Sequence, residues 1–170
     1  IIMSATLPNL DILSGSTYKA VELMKNRDKY YSHVCFKNRV KISYELLMSP
    51  NIQEDLVRHV LKKATDGKKV LVEFIKKESA SNFFECLKEK DNLPCDVEYM
   101  SGEDSIIERS RILHRIKEST RGIILVATQV VEAGVDIDMD IGYKNISKLD
   151  SEEQFMGRIN RSCQRKGEVY

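Results

Sequence analysis

The sequence lacks the features typical of metal-stapled, secreted or membrane-spanning proteins. None of its 4 cysteines shows C-x-x-C spacing or lies near a histidine cluster, so neither a metal site nor a disulfide framework is predicted. No apolar run is long enough to span a bilayer, and no signal peptide is recognisable. We therefore expect a cytoplasmic protein with free thiols and no membrane partner.

An excess of charge of one sign is also missing. Lys and Arg number 27 against 26 Asp and Glu, which gives a formal net charge of +1. Such a balanced surface attracts nucleic acid only through a local groove, because it has no general cationic field. The 170 residues, 42% of them hydrophobic, suit about one ordinary globular domain.

Strand-like and helix-like segments alternate along the chain. Short apolar runs predict strands at Val40–Leu47, Val70–Ile75, Val97–Met100, Ile123–Ala127, Ile141–Ile146 and from Gly167 onward. Helical periodicity predicts helices from a cap at Asn51 to a stop at Gly67, and over Ser79–Lys88, Asp104–Glu118 (with Ile106, Ile107, Leu113 and Ile116 on or near one face) and Ser151–Ser162. The alternation predicts an α/β fold with a central, mostly parallel sheet flanked by helices, and ligands beyond the carboxyl ends of its strands.

The strongest functional signal in the sequence lies in the last predicted helix. Gln154, Arg158 and Arg161 stand at i, i+4 and i+7, so a continuous helix would place them on one face. Gly157 would let a backbone or a phosphate approach this face, and guanidinium groups bind phosphate as a fork. Two arginines alone favour a solvated basic face, but an internal glycine costs a helix about 1 kcal/mol and asks for a reason.

The segment from Thr128 to Asp138, after the best-defined strand, has the composition of a phosphate-binding loop. A strand that ends in a hydroxyl residue and a short turn presents backbone N–H groups to an anion. Asp136, just beyond Gly134, is placed to accept a hydrogen bond from a ribose hydroxyl. An ordinary βα loop with Thr128 as a helix N-cap explains the segment equally well.

Taken together, these motifs resemble those of superfamily 2 helicases. Three segments occur in the order of helicase motifs III, V and VI: Ser4-Ala5-Thr6, Thr128–Asp138 and Gln154-x-x-Gly157-Arg158-x-x-Arg161. The resemblance covers essentially the whole chain, and motif VI is its most specific part. It implies a RecA-like three-layer domain over residues 41–170, preceded over residues 1–40 by the end of a first motor domain and a linker.

Within that superfamily the sequence is similar to the CRISPR-associated helicase–nuclease of type I systems. The similarity lies in the residue sequence of Ala127–Asp138 and in Leu149-Asp150-Ser151, which precedes the Gln154 motif. DEAD-box proteins usually carry a histidine at the position of Gln154 and an aspartate at that of Gln129, which argues against that branch. Phe155 and Met156 stand where the CRISPR family commonly has arginine and alanine.

The resemblance implies roles for the matching residues on the nucleotide side. Arg161 would be the arginine finger, Arg158 its phosphate-binding neighbour, and Gln154 would position the attacking water or a phosphate. An arginine finger accelerates phosphoryl transfer by roughly 10³ to 10⁵, because it stabilises charge on the transferring group. The residues implied to bind the nucleotide are Gly134, Asp136 and Gly157, with Asp136 toward the ribose.

The resemblance also implies roles on the nucleic-acid side. Thr128 and Ser101 would contact phosphates of the strand, with Arg109 in the helix after Ser101. Ser4 and Thr6, in motif III, would couple the ATP state to the grip on the strand. The implied partners are single-stranded nucleic acid (with DNA favoured by the resemblance alone), an upstream RecA-like domain, a fused HD nuclease domain and a CRISPR surveillance complex.

ATP with Mg²⁺ is the implied cofactor, and its metal ligands are expected on the upstream domain. This chain contains no G-x-x-x-x-G-K-[S/T] phosphate loop and no D-E-x-H or D-E-x-D segment. Two other interpretations stay open. Another superfamily 2 helicase of the RecG-like, repair or RNA class would carry the same motifs, and a non-catalytic α/β module could use the arginine helix to contact a partner or a nucleotide.

We predict that the chain by itself binds ATP weakly and hydrolyses almost none. The ATP site of such motors lies between two RecA-like domains, and this chain provides only one side of it. The measurement is phosphate release by the purified chain with and without single-stranded DNA. Robust turnover by the chain alone would contradict the prediction.

Overall fold

The computed structural model describes Gly15 and residues 26–170 with the exception of Ala133. Ser4 and Thr6, the predicted coupling residues of motif III, lie outside the described residues. Their roles therefore stay predictions. Between residues 26 and 40 the structure describes two short helices and the first residue of the first strand.

The chain divides into two compact units, Ile1–Lys37 and Asn38–Tyr170. The described part of the first unit contains α1 (Arg27–Tyr31) and α2 (Val34–Lys37). The second unit begins three residues before position 41, where the sequence places the start of the helicase domain. All the described candidate site residues belong to this second unit.

The second unit is built on one six-stranded sheet in which every paired strand is parallel. The strands are β1 (Val40–Ile42), β2 (Lys69–Glu73), β3 (Asp96–Met100), β4 (Ile123–Ala127), β5 (Ile141–Lys144) and β6 (Gly167–Val169). Their order across the sheet is β1-β6-β5-β2-β4-β3. The most apolar strands, β2 and β4, take inner positions because a parallel sheet is covered on both faces.

Helices cover both faces of this sheet. They are α3 (Ile52–Lys63), α4 (Lys77–Lys88), α5 (Ile106–Glu118) and α6 (Leu149–Met156), with 3₁₀ turns at Glu45–Met48 and Gln129–Val131. Val60 of α3 and Leu87 of α4 share one core with Val72 of β2, whereas Ile116 of α5 and Phe155 of α6 share the other core. The three-layer α/β architecture predicted from the sequence is confirmed.

The edges of several elements differ from the prediction. The strand expected at Val40–Leu47 ends at Ile42, because its neighbour in the described sheet, β6, offers three residues to pair with. The strand expected at Ile141–Ile146 ends at Lys144. Asn51 occupies the N-cap position of α3, but its side chain makes no capping hydrogen bond.

Ile106 and Ile107, which the sequence places on or near one helix face with Leu113 and Ile116, are not part of the buried face of α5. These side chains are 87% and 82% exposed. The helix begins at Ile106, because Ser105 is its N-cap: the Ser105 hydroxyl accepts a hydrogen bond from the Glu108 amide at 3.1 Å. The first turn therefore lies outside the core, and Ile112 is the first helix residue that packs fully against the sheet.

The closest approach of α6 to the sheet occurs at Gly142 in β5. A Cβ atom at this position would lie 2.7 Å from Cε1 of Phe155 and 2.9 Å from Cδ1 of Ile159. Both neighbours are fully buried, so neither can move aside easily. The absence of a side chain at residue 142 therefore sets the position of α6 and of the turn that follows it.

We predict that Gly142→Ala lowers the free energy of unfolding by about 1–3 kcal/mol, the usual cost of overpacking a filled core. The measurement is urea unfolding at equilibrium. Gly102→Ala is the matched control, because a Cβ at Gly102 would meet no atom within 4 Å. Equal stability of the Gly142→Ala and Gly102→Ala variants would show that α6 is not held against the sheet in this way.

Candidate functional site

The two residues predicted to contact a nucleic-acid strand follow neighbouring strands of the sheet. Ser101 comes directly after β3 and Thr128 directly after β4. The Thr128 amide donates to the carbonyl of Met100 at 3.2 Å, which holds the two strand ends side by side. They therefore lie at the carboxyl edge of the sheet, where open parallel sheets bind their ligands.

Ser101 begins a tightly organised turn. Its amide is bonded to the Asp104 carboxylate at 2.5 Å, and its hydroxyl accepts from the Glu103 amide at 3.3 Å. The Arg109 guanidinium donates to the carbonyls of Ser101 at 3.3 Å and Gly102 at 2.8 Å. Because Ser101 is only 3% exposed, its contact with a strand stays a prediction, and its visible role is to shape the turn.

Thr128 does not act as a helix N-cap. The 3₁₀ turn Gln129–Val131 follows it, but the threonine side chain makes no capping hydrogen bond. The interpretation of this segment as an ordinary capped βα loop is therefore wrong in that detail. The half-buried hydroxyl at the sheet edge stays consistent with the predicted strand contact.

The predicted continuous helix over Ser151–Ser162 is wrong, and the single arginine face with it. Helix α6 ends at Met156, with Gly157 as its C-cap. Beyond Gly157 the chain turns, and Asn160 has a left-handed φ of 46°. Gln154 stays in the last turn of α6, whereas Arg158 and Arg161 lie in the turn that follows.

Backbone bonds from Met139 explain why the helix stops. The Met139 amide donates to the Arg158 carbonyl at 2.9 Å, and its carbonyl accepts from the Asn160 amide at 2.7 Å. The carboxylate of Asp138 accepts from the amides of Arg161 at 2.7 Å and Ser162 at 3.3 Å. Partners remote in sequence thus replace the hydrogen bonds that a longer helix would make.

Arg158 joins this turn to the loop after β4. Its guanidinium donates through Nε to the Val131 carbonyl at 3.0 Å and through Nη2 to the Glu132 carbonyl at 2.7 Å. Burial and the charge of Arg161 lower the pKa of Arg158, while Asp136 opposes the shift. A guanidinium stays charged even so, and two charge-assisted bonds make this a firm attachment.

The second arginine meets the predicted ribose-binding residue. The Arg161 guanidinium lies 2.9 Å from the Asp136 carboxylate, and the two side chains are 47% and 78% exposed. Gly134, two residues before Asp136, has a φ of +72°, a conformation that favours glycine, although a Cβ there would meet nothing within 4 Å. The structure therefore brings Gly134, Asp136, Arg158 and Arg161 into one assembly.

Gly157 and Gln154 belong to the same region. Gly157 has a φ of −62°, which any residue adopts, and a Cβ there would lie 3.1 Å from the carbonyl of Gln154 in the same turn. Among the described residues the atoms nearest to that Cβ position belong to Gln154 and Glu153 of α6, so the predicted role of Gly157 in admitting a phosphate stays a prediction. Among the residues that the structure describes, no group of three His, Cys, Asp or Glu side chains could hold a metal ion.

A buried charged cluster supports the loop from below. The Lys144 ammonium, only 2% exposed, pairs with the Glu73 carboxylate and with the Glu132 carboxylate at 2.9 Å. The Ser151 hydroxyl of α6 also donates to Glu132. The side chain of Glu132 is thus held by β5 and α6, while its carbonyl is held by Arg158.

One lysine cannot neutralise two buried carboxylates, and the pKa values reflect this. Burial raises the pKa of Glu73 to about 7, against the hydrogen bond from Lys144 that lowers it. Burial also opposes ionisation of Glu132, but hydrogen bonds from Ser151 and Lys144 bring its pKa below the ordinary value. Glu132 is therefore the ionised partner of Lys144, and Glu73 is the group that takes up a proton near neutral pH.

Several residues of this assembly were missed in the sequence. Asp138 carried a signal, because it repeats the acidic position of Asp136 two residues later in the loop. Lys144 at the end of an apolar strand and Glu132 inside the loop also stood out as charges in apolar surroundings. Their pairing was not predictable, since it depends on which strands become neighbours in the sheet.

The family of this chain is decided by its sequence profile. Residues 66–164 match the family described as the CRISPR-associated nuclease/helicase Cas3, C-terminal. The match covers more than half of the chain and includes both arginines and the whole loop after β4. The chain belongs to this family of Cas3 C-terminal domains. The type I CRISPR helicase resemblance predicted from the motifs is thereby confirmed.

A protein relative and several solved structures agree with the assignment. The chain is 36% identical over 76 residues to the CRISPR-associated nuclease/helicase Cas3 of Methanothermobacter thermautotrophicus, covering 38% of this chain and 9% of that protein. The ATP complex of T. fusca Cas3 superposes with a TM-score of 0.59 at 19% identity, over 77% of this chain and 18% of the other. The yeast DEAD-box splicing factor Prp28 has a TM-score of 0.59 at 19% identity, over 76% and 27% of the two chains.

These structural likenesses confirm the predicted RecA-like fold of the Cas3-like domain. The chain spans less than a tenth of the protein relative and under a fifth of the T. fusca protein. The activity, substrates and partners of a whole helicase are accordingly matters for proposal. No helix in the described part of the chain is long and apolar enough to cross a membrane.

We predict that Glu73→Gln changes how the stability of this Cas3-like domain depends on pH. A carboxyl whose pKa is higher in the folded state stabilises the fold fully below its unfolded pKa, and this contribution is lost as the pH rises through the folded pKa. The free energy of unfolding of the Glu73→Gln variant should therefore rise relative to that of the wild type between about pH 5 and pH 8, by up to about 3 kcal/mol.

The measurement is urea unfolding at several pH values, with Glu78→Gln, an exposed carboxyl on α4, as the control. The Glu73→Gln profile should diverge from the wild type toward alkaline pH, and the control profile should run parallel to it. Parallel profiles for both variants would mean that Glu73 is ionised throughout this range.

Proposed function

We propose that this domain is the second motor domain of an ATP-dependent helicase that moves along single-stranded DNA in type I CRISPR interference. The observation that carries the proposal is the assembly of Asp136 and Arg161 on the Arg158-bound loop. It presents one exposed carboxylate and one exposed guanidinium together at the edge of the domain. These are the two groups that a nucleoside triphosphate needs from the second side of its cleft, one for a ribose hydroxyl and one for a phosphate.

The residues present suit a nucleotide held between two domains. The Arg161–Asp136 pair is exposed, and such a pair is worth about 1 kcal/mol or less, so an incoming nucleotide can replace it at little cost. The exchange frees Arg161 to bind the γ-phosphate and Asp136 to accept from the ribose. Mg²⁺, bound on the upstream domain, would neutralise the phosphate oxygens.

Arg158 takes a part different from the one expected from a helical face. Its fork on Val131 and Glu132 aligns the loop with the turn, so we propose that it orders the site. A contact from the remaining nitrogen, Nη1, to a phosphate is compatible with this arrangement. Gln154, at the end of the preceding helix, would position the attacking water or a phosphate.

Hydrolysis would be coupled to the strand through the loop after β4. Thr128 stands at the start of that loop and Asp136 near its end, so a shift on the nucleotide side moves the residue that faces the strand. Contacts to phosphates alone make strand binding tolerant of sequence. Opening and closing of the cleft during each ATP cycle would then advance the domain along the strand.

The wider assembly follows from the family. We propose an upstream RecA-like domain that contains the phosphate loop and the Mg²⁺ ligands, with Ser4 and Thr6 at its end coupling the ATP state to strand grip. An HD nuclease domain, a CRISPR surveillance complex as partner and a cytoplasmic location complete the proposal. Another superfamily 2 helicase is the alternative, and an upstream sequence without an HD nuclease signature would favour it.

We predict that Arg161→Ala lowers ATP turnover about 10³-fold or more in the protein that contains both motor domains. The reason is the loss of the half-exposed guanidinium that we propose stabilises charge on the transferring phosphoryl group. The measurement is ATPase activity stimulated by single-stranded DNA. Arg58→Ala is the control, because this arginine is 75% exposed on α3 and pairs locally with Asp55.

Two results would refute the motor assignment. One is turnover that does not respond to single-stranded DNA in the wild type. The other is an Arg161→Ala variant that turns over as fast as the Arg58→Ala control. Either outcome would favour a non-catalytic module that binds a nucleotide or a partner.

A further inference from the structure

Arg39 forms a clamp near the start of the domain, and this clamp reaches the turn that carries Arg161. Arg39, the residue just before β1, donates through Nη2 to the Met156 carbonyl at 3.1 Å and through Nη1 to the Ile159 carbonyl at 3.2 Å. The carbonyls at the end of a helix lack partners within it and favour a cation. One guanidinium thus closes the end of α6 and the next turn together.

The contact is reciprocal. The Asn160 side-chain amide donates to the Arg39 carbonyl at 3.0 Å, and the Gly167 amide donates to the same oxygen at 2.9 Å. Asn160 is 1% exposed. Its side-chain Nδ2 also donates to the Arg165 carbonyl, and its Oδ1 accepts from the Arg165 amide. Its left-handed backbone is therefore fixed in place by buried contacts.

Asn160 directly precedes Arg161, so the backbone of the arginine finger is held from two sides. Asp138 binds the Arg161 amide on one side, and the Arg39–Asn160 clamp holds the preceding residue on the other. The side chain of Arg161 is half-exposed and pairs only with the exposed Asp136 among the interactions that the structure describes for it. Its direction is set chiefly by the backbone.

We propose that Arg39 is a positioning residue for the arginine finger, which ties the chain entering the domain to the turn that carries Arg161. The proposal rests on the proposed function of Arg161. Arg39 is the second residue of the compact unit that begins at Asn38. The carbonyls of Met156 and Ile159 accept from two different nitrogens of the planar guanidinium. A lysine ammonium has a single nitrogen and cannot reproduce this fork.

A double-mutant cycle in the full-length protein tests the proposal. The variants are Arg39→Ala, Arg161→Ala and the combination, with Arg58→Ala as the exposed control. We measure kcat and KM for ATP with saturating single-stranded DNA, and follow single turnovers over hours for the slow variants. Arg39→Ala should lower kcat about 10- to 100-fold, as a misplacement of about 1 Å does, and change KM by less than about 3-fold.

The combination separates positioning from general stabilisation. If Arg39 acts through the finger, the double variant turns over no more slowly than Arg161→Ala alone, because residues that act as a unit are not additive. A further loss in the double variant equal to that of the single Arg39→Ala change would overturn the proposal. So would an Arg39→Ala variant with the kcat of the control.

Failure of the proposal is distinguishable from failure of the proposed function. If Arg161→Ala keeps wild-type turnover, the arginine-finger function itself falls. If Arg161→Ala loses turnover but Arg39→Ala does not, only the role of Arg39 falls. Thermal unfolding of each variant is recorded, and Arg39→Lys runs through the same cycle, so a folding defect of the alanine variant leaves the test intact.

Discussion

The site depends on the fork that Arg158 makes with the carbonyls of Val131 and Glu132. These two bonds join the loop after β4 to the turn after α6, two segments that are remote in sequence. Met139 and Asp138 add bonds in the same place. Because the two segments form one body, Asp136 and Arg161 meet as a pair, and neither the loop nor the turn alone would present both groups.

Burial of charge supplies the rigidity beneath that fork. Lys144 and Glu132 are both largely buried, and separating them would leave each with an uncompensated buried charge. Glu73 adds a second carboxyl that the lysine cannot also neutralise, and its pKa of about 7 expresses this imbalance. The loop is consequently attached through the side chain of Glu132 below and its carbonyl above, in addition to the core packing of Val131 and Val135.

The sequence predicted the strands, the three layers and the residues of the loop and turn, because apolar runs and motif order are local signals. It did not predict that α6 ends at Met156, since the spacing of Gln154, Arg158 and Arg161 favoured a continuous helix in spite of the internal Gly157. The bonds that end the helix come from Met139 and Arg39, and these partners are visible only once the sheet is assembled. For the same reason the helical spacing of Arg158 and Arg161 indicated a shared face that the turn does not have.

The pairing of β1 with β6 has a consequence for how the domain forms during synthesis. Val40 lies beside Gly167, so the first strand of the sheet waits for the last, 127 positions later (167 minus 40). Contacts of such long separation form slowly and leave an unpaired strand edge exposed until β6 has been synthesised. A ribosome-bound intermediate would therefore contain β2 to β5 as a core, with β1 still unpaired.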